Sequence, residues 1–432
     1  MQFTKKYIDT LDETLYSATH KTGLRVFVVP KKGFSKTYAI YGTKFGSINN
    51  TFIPLGEEKE ITVPDGVAHF LEHKMFEMPD ESNAFDLFSK YGANANAFTS
   101  FTNTCYLFSC TSHFKECFAH LLDYVQKPHF TKENIEKEQG IIAQEIRMYD
   151  DDGEWVVMFN MLRAMYANNP VKIDIAGTVE SISKIDKTVL YNCYNTYYNP
   201  ANMVVCVVGN VEPELVFDIV EKTIETRENG KVVSVYPDEP CEVPQKYIEA
   251  ESAVSRPIFT IGFKDNYLKK GAELLKREAQ LTLIAKILTG RSSKFYNDNY
   301  KTGLINDTFS KDIMTEEAFS VVSFAGESDE PKLVKEKLIE AIEDYRSKGF
   351  TEEEFKRIKN AYFGSFIRKF NNVETIGNML CKGFLNDTDL TDFPEIYNSI
   401  TLESLMQVLS EVFTSENCVL SVVNPLDKGD II

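Results

Sequence analysis

The sequence predicts an α+β fold of two homologous domains, each an antiparallel sheet covered on one face by helices. Three observations predict it. Strand-like segments precede helix-like ones in the first half, the arrangement of folds that lay helices over an antiparallel sheet. Two stretches of the second half echo the first at nearly the same spacing. The most proline-rich interval, 232–245, carries Pro237, Pro240 and Pro244 and stands near the middle of the chain. It reads as an exposed, semi-extended linker, so the expected organisation is domain 1–231, linker 232–245 and domain 246–432. The length of 432 residues suits two large domains.

Taken in order, residues 23–30 (GLRVFVVP) alternate like a strand and residues 37–47 follow as another. The segment from Thr104 to Cys110 is β-branched and aromatic, and the segment from Asn94 to Thr99 can pair with it. Helical periodicity runs through 66–77, 114–125, 134–149 and 187–198. The repeat compares residues 202–210 (NMVVCVVGN) with 417–425 (NCVLSVVNP): four of nine positions are identical at an offset of 215, against a half-length of 216. Phe130-Thr-Lys-Glu133 likewise matches Phe350-Thr-Glu-Glu353, each opening a helix that ends in Ile-Arg, at 146–147 and 367–368.

Hydrophobic residues are 43% and charged residues 26%, ordinary for a globular chain. The net charge of −17 argues against a nucleic-acid binder and against a surface for anionic lipid. It suits positively charged partners or substrates. No run of 18 apolar residues and no signal-peptide pattern is present, so no membrane span is expected. Eight cysteines without a CxxC pair read as reduced, buried thiols of a cytoplasmic protein. The six histidines, His20, His69, His73, His113, His120 and His129, all lie in the first third of the chain.

Two of them stand in His69-Phe-Leu-Glu72-His73, an H-x-x-E-H. Asp65 and Gly66 can cap a helix that carries it. Residues i, i+3 and i+4 share one helix face, so His69 and His73 can aim two imidazoles at one ion with Glu72 beside them. Imidazoles plus a carboxylate suit Zn²⁺ with a position left for water, and Glu72 can take that water's proton. The order reverses the H-E-x-x-H metallopeptidase motif. With so few histidines, about 0.007 chance occurrences are expected in a chain of this composition. A third ligand must come from elsewhere. The helix 132–149 offers Glu133, Glu136, Glu138 and Glu145; Glu138 and Glu145 are two turns apart on one face, and Glu145 sits in the apolar stretch Ile-Ile-Ala-Gln-Glu-Ile. Glu133 and Glu136 are expected to face solvent.

H-x-x-E-H followed some 70 residues later by a helix with E-x6-E resembles the pitrilysin/insulinase family of zinc peptidases, the inverzincins. The resemblance covers essentially the whole chain. It includes Asn96-Ala-Phe-Thr99 and Tyr197-Tyr-Asn-Pro-Ala-Asn-Met-Val-Val205, and the length is similar to the half-size branch that contains mitochondrial processing peptidase. The resemblance implies zinc ligands His69, His73 and Glu145, Glu72 as general base, and Glu138 as a carboxylate that orients a ligand. It implies that the strand segment Ala95, Asn96, Ala97, Phe98 and Thr99 receives the substrate backbone by edge addition.

The family also places an Arg and, seven residues on, a Tyr after a glycine-rich turn in the second half. This sequence departs there: Asn299 and Asn306 occupy those positions, and Arg291, Tyr296 and Tyr300 fall elsewhere. In the second copy Phe366 stands where Glu145 stands in the first. Oxyanion stabilisation is a large term, and one lost donor costs roughly 10²–10³ in rate. The resemblance therefore implies a heterodimer enclosing a chamber, in which a metal-less homologous subunit supplies the Arg/Tyr pair. The leading expectation is a zinc endopeptidase for peptides or small unfolded polypeptides. The alternatives are a non-catalytic structural or peptide-binding subunit, and a metal-dependent hydrolase of another bond.

Overall fold

The computed structural model describes residues 1–80, 82–227 and 230–426. It divides into two compact units. The first comprises Met1–Ile146, Asp174–Tyr236 and Ile367–Thr391; the second comprises Arg147–Ile173, Pro237–Phe366 and the segment from Asp392 onward.

The first unit is built on a seven-stranded sheet. Its order is Thr4–Ile8, Glu13–Thr19, Arg25–Pro30, Met203–Gly209, Thr37–Thr43, Thr104–Cys110 and Asn94–Thr99. Neighbours are antiparallel except Arg25–Pro30 with Met203–Gly209. On one face, Ala39, Tyr41, Tyr106, Phe108, Val205 and Val207 join a core with Phe118, Leu121, Leu190 and Tyr194 of the covering helices. Thr37–Thr43 and Met203–Gly209 are buried at every residue, as strands are when both faces are covered.

The second face is closed by helix Val373–Leu385, which comes from the second half of the sequence. Its approach needs glycine on both sides. A Cβ on Gly377 would lie 2.5 Å from Tyr38 Cδ1, and one on Gly42 would lie 2.6 Å from Cys381 Sγ.

The second unit repeats this plan. Its sheet runs Tyr247–Ser252, Cys418–Pro425, Ile258–Lys264, Ser320–Glu327 and Ser310–Thr315, again with one parallel pair, Tyr247–Ser252 with Cys418–Pro425. These strands match the last five of the first sheet in order and direction, which gives the repeated valine segments equivalent places. Helices Gly271–Thr289, Pro331–Lys348 and Leu402–Val412 pack together over this sheet. Helix Gly153–Met165, from the first half of the sequence, packs on strands Ile258–Lys264 and Cys418–Pro425. There Gly262 leaves room: its Cβ would meet Met161 Sδ at 2.2 Å. The α+β class is as expected, and each sheet carries in addition a helix exchanged from the other half of the chain.

The 232–245 interval is mostly exposed but anchored along its length. Val233–Ser234 pairs with Thr51–Ile53 in the first unit. In the second unit, Glu239 accepts the backbone N–H groups of Ala167, Asn168 and Asn169 and pairs with Lys264 at 2.8 Å. All eight cysteines are free; seven are buried, and Cys241, within this interval, is exposed. Among the described residues no helix is long and apolar enough to cross a membrane.

Candidate metal centre

The helix that carries the H-x-x-E-H is Val67–Lys74, shorter at its C-terminus than the periodicity suggests. It starts at Gly66, whose φ of 87° is left-handed and whose Cβ would fall 2.3 Å from the Ala176 carbonyl oxygen. Only glycine meets both conditions. Asp65 does not cap the helix; its carboxylate accepts from Asn50 Nδ2 at 2.9 Å. Val67, Ala68, Phe70 and Leu71 are buried in the core of the first unit, which fixes the helix's rotation.

That rotation brings His69, Glu72 and His73 to helix Lys132–Asp150 and strand Asn94–Thr99. Glu145 Oε1 lies 3.7 Å from His69 Nε2, and Glu145 Oε2 lies 3.6 Å from His73 Nε2. One donor atom from each of these residues falls within 4.8 Å of the others, a group able to hold a metal ion. Separations of 3.6–3.7 Å are too long for hydrogen bonds. They approach the spacing of about 3.4 Å between ligand atoms sharing a tetrahedral ion with bonds near 2.1 Å.

Burial, reinforced by the neighbouring His73, pulls the His69 imidazole down to about 3, so it is neutral, the ligating form. Its buried Nδ1 has no hydrogen-bond partner among the described residues. Burial also acts to lower His73, but its hydrogen bond to Glu138 and the charges of Glu138, Glu72 and Glu145 outweigh that and leave it raised. His73 Nδ1 lies 2.9 Å from Glu138 Oε1. A carboxylate there makes Nδ1 the N–H and leaves the Nε2 lone pair free for an ion.

Glu72 is buried, with Thr99 Oγ1 donating to its Oε2 at 2.6 Å. Burial raises its carboxyl above the ordinary value, while the Thr99 hydrogen bond works in the opposite direction. Burial likewise raises Glu145. Glu138 is lowered: burial would raise it, but the hydrogen bond and charge of His73 and the ammonium of Lys74 prevail. Glu133 and Glu136 are exposed, as expected.

Among the described residues Asn94–Thr99 is the edge strand of its sheet, paired only with Thr104–Cys110. Ala95, Ala97 and Thr99 are half-buried, while Asn96 and Phe98 are exposed, Phe98 by 40%. Asn96 Oδ1 accepts the Ala97 N–H at 2.9 Å.

The two asparagines at the departing positions are engaged locally. Asn299 Nδ2 donates to the Phe295 carbonyl at 2.7 Å, and Asn306 Nδ2 donates to Glu327 Oε2 at 3.1 Å. Phe366 is buried, its ring centroid 4.1 Å from that of Phe393. Two contacts escaped sequence reasoning. One is the Thr99–Glu72 hydrogen bond, which joins residues 27 apart in sequence. The other is Lys74, fully buried at the end of the histidine helix, with Nζ 2.7 Å from Glu77 Oε2 and 3.6 Å from Glu138 Oε2. Its only signal was an unbroken H-x-x-E-H-K with Glu77 three residues on.

Residues 50–179 match the family described as Insulinase (Peptidase family M16), and residues 184–362 match the Peptidase M16 inactive domain. Over 430 residues the chain is 41% identical to the uncharacterized zinc protease YmfH of Bacillus subtilis (strain 168), covering 96% of this chain and 98% of that one. The chain belongs to peptidase family M16. Within the family it is also 24% identical to the uncharacterized zinc protease YmxG of the same organism, over 87% of this chain and 92% of that one. Among solved structures it resembles an M16-like peptidase from Alicyclobacillus acidocaldarius, with a TM-score of 0.92, 31% identity and 99% of both chains covered. The fold also matches a protease from Helicobacter pylori at a TM-score of 0.83 and 20% identity, over 95% of this chain and 99% of that one. The half-size M16 architecture is thus established.

Proposed function

We propose that this M16 chain is a zinc-dependent endopeptidase that cleaves peptides or small unfolded polypeptides. The observation that carries the reading is the convergence of His69, His73 and Glu145 with the buried carboxylate of Glu72 beside them. Zinc held by the first three residues supplies Lewis-acid polarisation of a carbonyl and acidification of water.

This chain's residues do the rest. Glu138 keeps His73 in the Nδ1–H tautomer. Glu72, fixed at Oε2 by Thr99, takes a proton from the attacking water at Oε1 and returns it to the leaving amine. Asn94–Thr99 binds the extended substrate backbone along its open edge, with small side chains at Ala95 and Ala97 facing inward.

A homologous subunit without the metal residues completes the site by supplying the Arg/Tyr pair that Asn299 and Asn306 do not provide. The free thiols favour the cytoplasm. The local engagement of both asparagines also suits the second reading, a subunit that binds peptide without cutting it.

A quenched-peptide mixture distinguishes these readings. The chain, alone or co-purified with the product of a neighbouring homologous gene, is expected to cut it, to stop on chelation and to resume with zinc. Peptide binding without cleavage under all these conditions would leave the second reading.

A further inference from the structure

A buried ammonium is costly unless it is closely paired, and an apolar side chain at a buried helix position is often the more stable choice. Lys74 is nevertheless fully buried. Its Nζ donates to the Asn134 carbonyl at 3.2 Å and pairs with Glu77 at 2.7 Å. These two contacts would suffice to tie the helix end. The third contact is an ion pair without a hydrogen bond, 3.6 Å to Glu138 Oε2, on the carboxylate whose Oε1 holds His73 Nδ1 at 2.9 Å. The side chains thus form a continuous line, Glu77–Lys74–Glu138–His73–Glu145, drawn from both helices of the centre and from Glu77 just beyond the first. A cation beside the second oxygen opposes any rotation of the carboxylate that carries that oxygen away, whereas a carboxylate held at a single oxygen pivots more freely.

We infer that Lys74 is a positioning residue of the metal centre: its ammonium holds the Oε2 side of Glu138, so that Oε1 stays on His73 Nδ1 and His73 Nε2 stays aimed at the ion. The inference rests on the zinc reading. It assigns the lysine of H-x-x-E-H-K to metal affinity through Glu138, not to fold alone.

The test is a cycle of zinc affinities, measured by chelator competition on the full-length chain. Lys74→Met is expected to bind zinc about tenfold more weakly than wild type, the lower end of the range for groups that orient metal ligands. In a Glu138→Gln background the same change is expected to cost less than about threefold, because its route to His73 is already gone. Lys74→Gln, which keeps a polar group near Asn134, is expected to behave like Lys74→Met.

Zinc affinity equal to wild type in Lys74→Met, with only a lowered melting temperature, overturns the inference. So do fully additive losses. Should neither lysine variant fold, the ¹⁵Nζ signal of Lys74 decides: it is expected to move in Glu138→Gln, and an unmoved signal overturns the inference. A wild-type chain that binds no zinc at all overturns the zinc reading itself. Zinc binding by wild type that the Lys74 variants match removes the inference alone.

Discussion

At the scale of residues, the centre is a set of carboxylates told apart by their partners. Glu72, the proposed base, is held up by burial and eased down by Thr99. Thr99→Val removes the donor that favours the ionised carboxylate. The Glu72 carboxyl then rises further, and the base is ionised only at higher pH. The acid limb of a kcat/KM profile on a quenched peptide is therefore expected to move to higher pH; an unmoved limb, or a shift the other way, would contradict the assignment. Glu145 and Glu138 separate by a different measurement. On the zinc proposal, Glu138→Gln is expected to weaken zinc by about 10–100-fold, as for groups behind a ligand, and Glu145→Gln by more, because it removes a proposed ligand outright. Chelator competition gives the ranking, and the reverse order would exchange their roles. The sequence made His69, Glu72 and His73 legible because the helical repeat alone places them on one face. It left Glu138 and Glu145 to be separated by resemblance, and it hid Lys74. That lysine's burial depends on a carbonyl at Asn134, 60 residues away, which no local pattern encodes.

At the scale of elements, the same split holds between local and distant causes. The strands from Asn94 to Thr99 and from Thr104 to Cys110 were readable from alternation and composition, and their pairing follows. The exchanged helices were not, because chain order places residues 153–165 with the first half and 373–385 with the second. The continuous burial of Thr37–Thr43 and Met203–Gly209 shows what a cover on the second face does for the sheet. Gly377 is the point of closest approach, where a Cβ would stand 2.5 Å from the Tyr38 ring. Gly377→Ala gains helix propensity but forces the helix off the sheet, so a net loss of about 1–3 kcal/mol is expected. Denaturant midpoints measure it, and a stabilised variant would contradict the packing described.

At the scale of the whole molecule, the length and the histidine skew have one explanation. Two copies of a fold carry one candidate metal centre, and the second copy has the buried Phe366 where the first has Glu145. The copies are not independent segments, since each sheet is completed by a helix from the other half. A fragment of residues 1–231 lacks Val373–Leu385 and leaves a sheet face uncovered. It is expected to lack a cooperative thermal transition, and a sharp, reversible one would contradict this. The central claim is that Glu72 activates water beside an ion held by His69, His73 and Glu145. It is tested most directly by the rate of quenched-peptide cleavage in wild type and Glu72→Gln at matched zinc occupancy, with the proposed homologous partner present. The account predicts equal zinc binding and a rate lower by about 10²–10⁴-fold in the variant, the range for loss of a general base. Equal rates in the two proteins would contradict it.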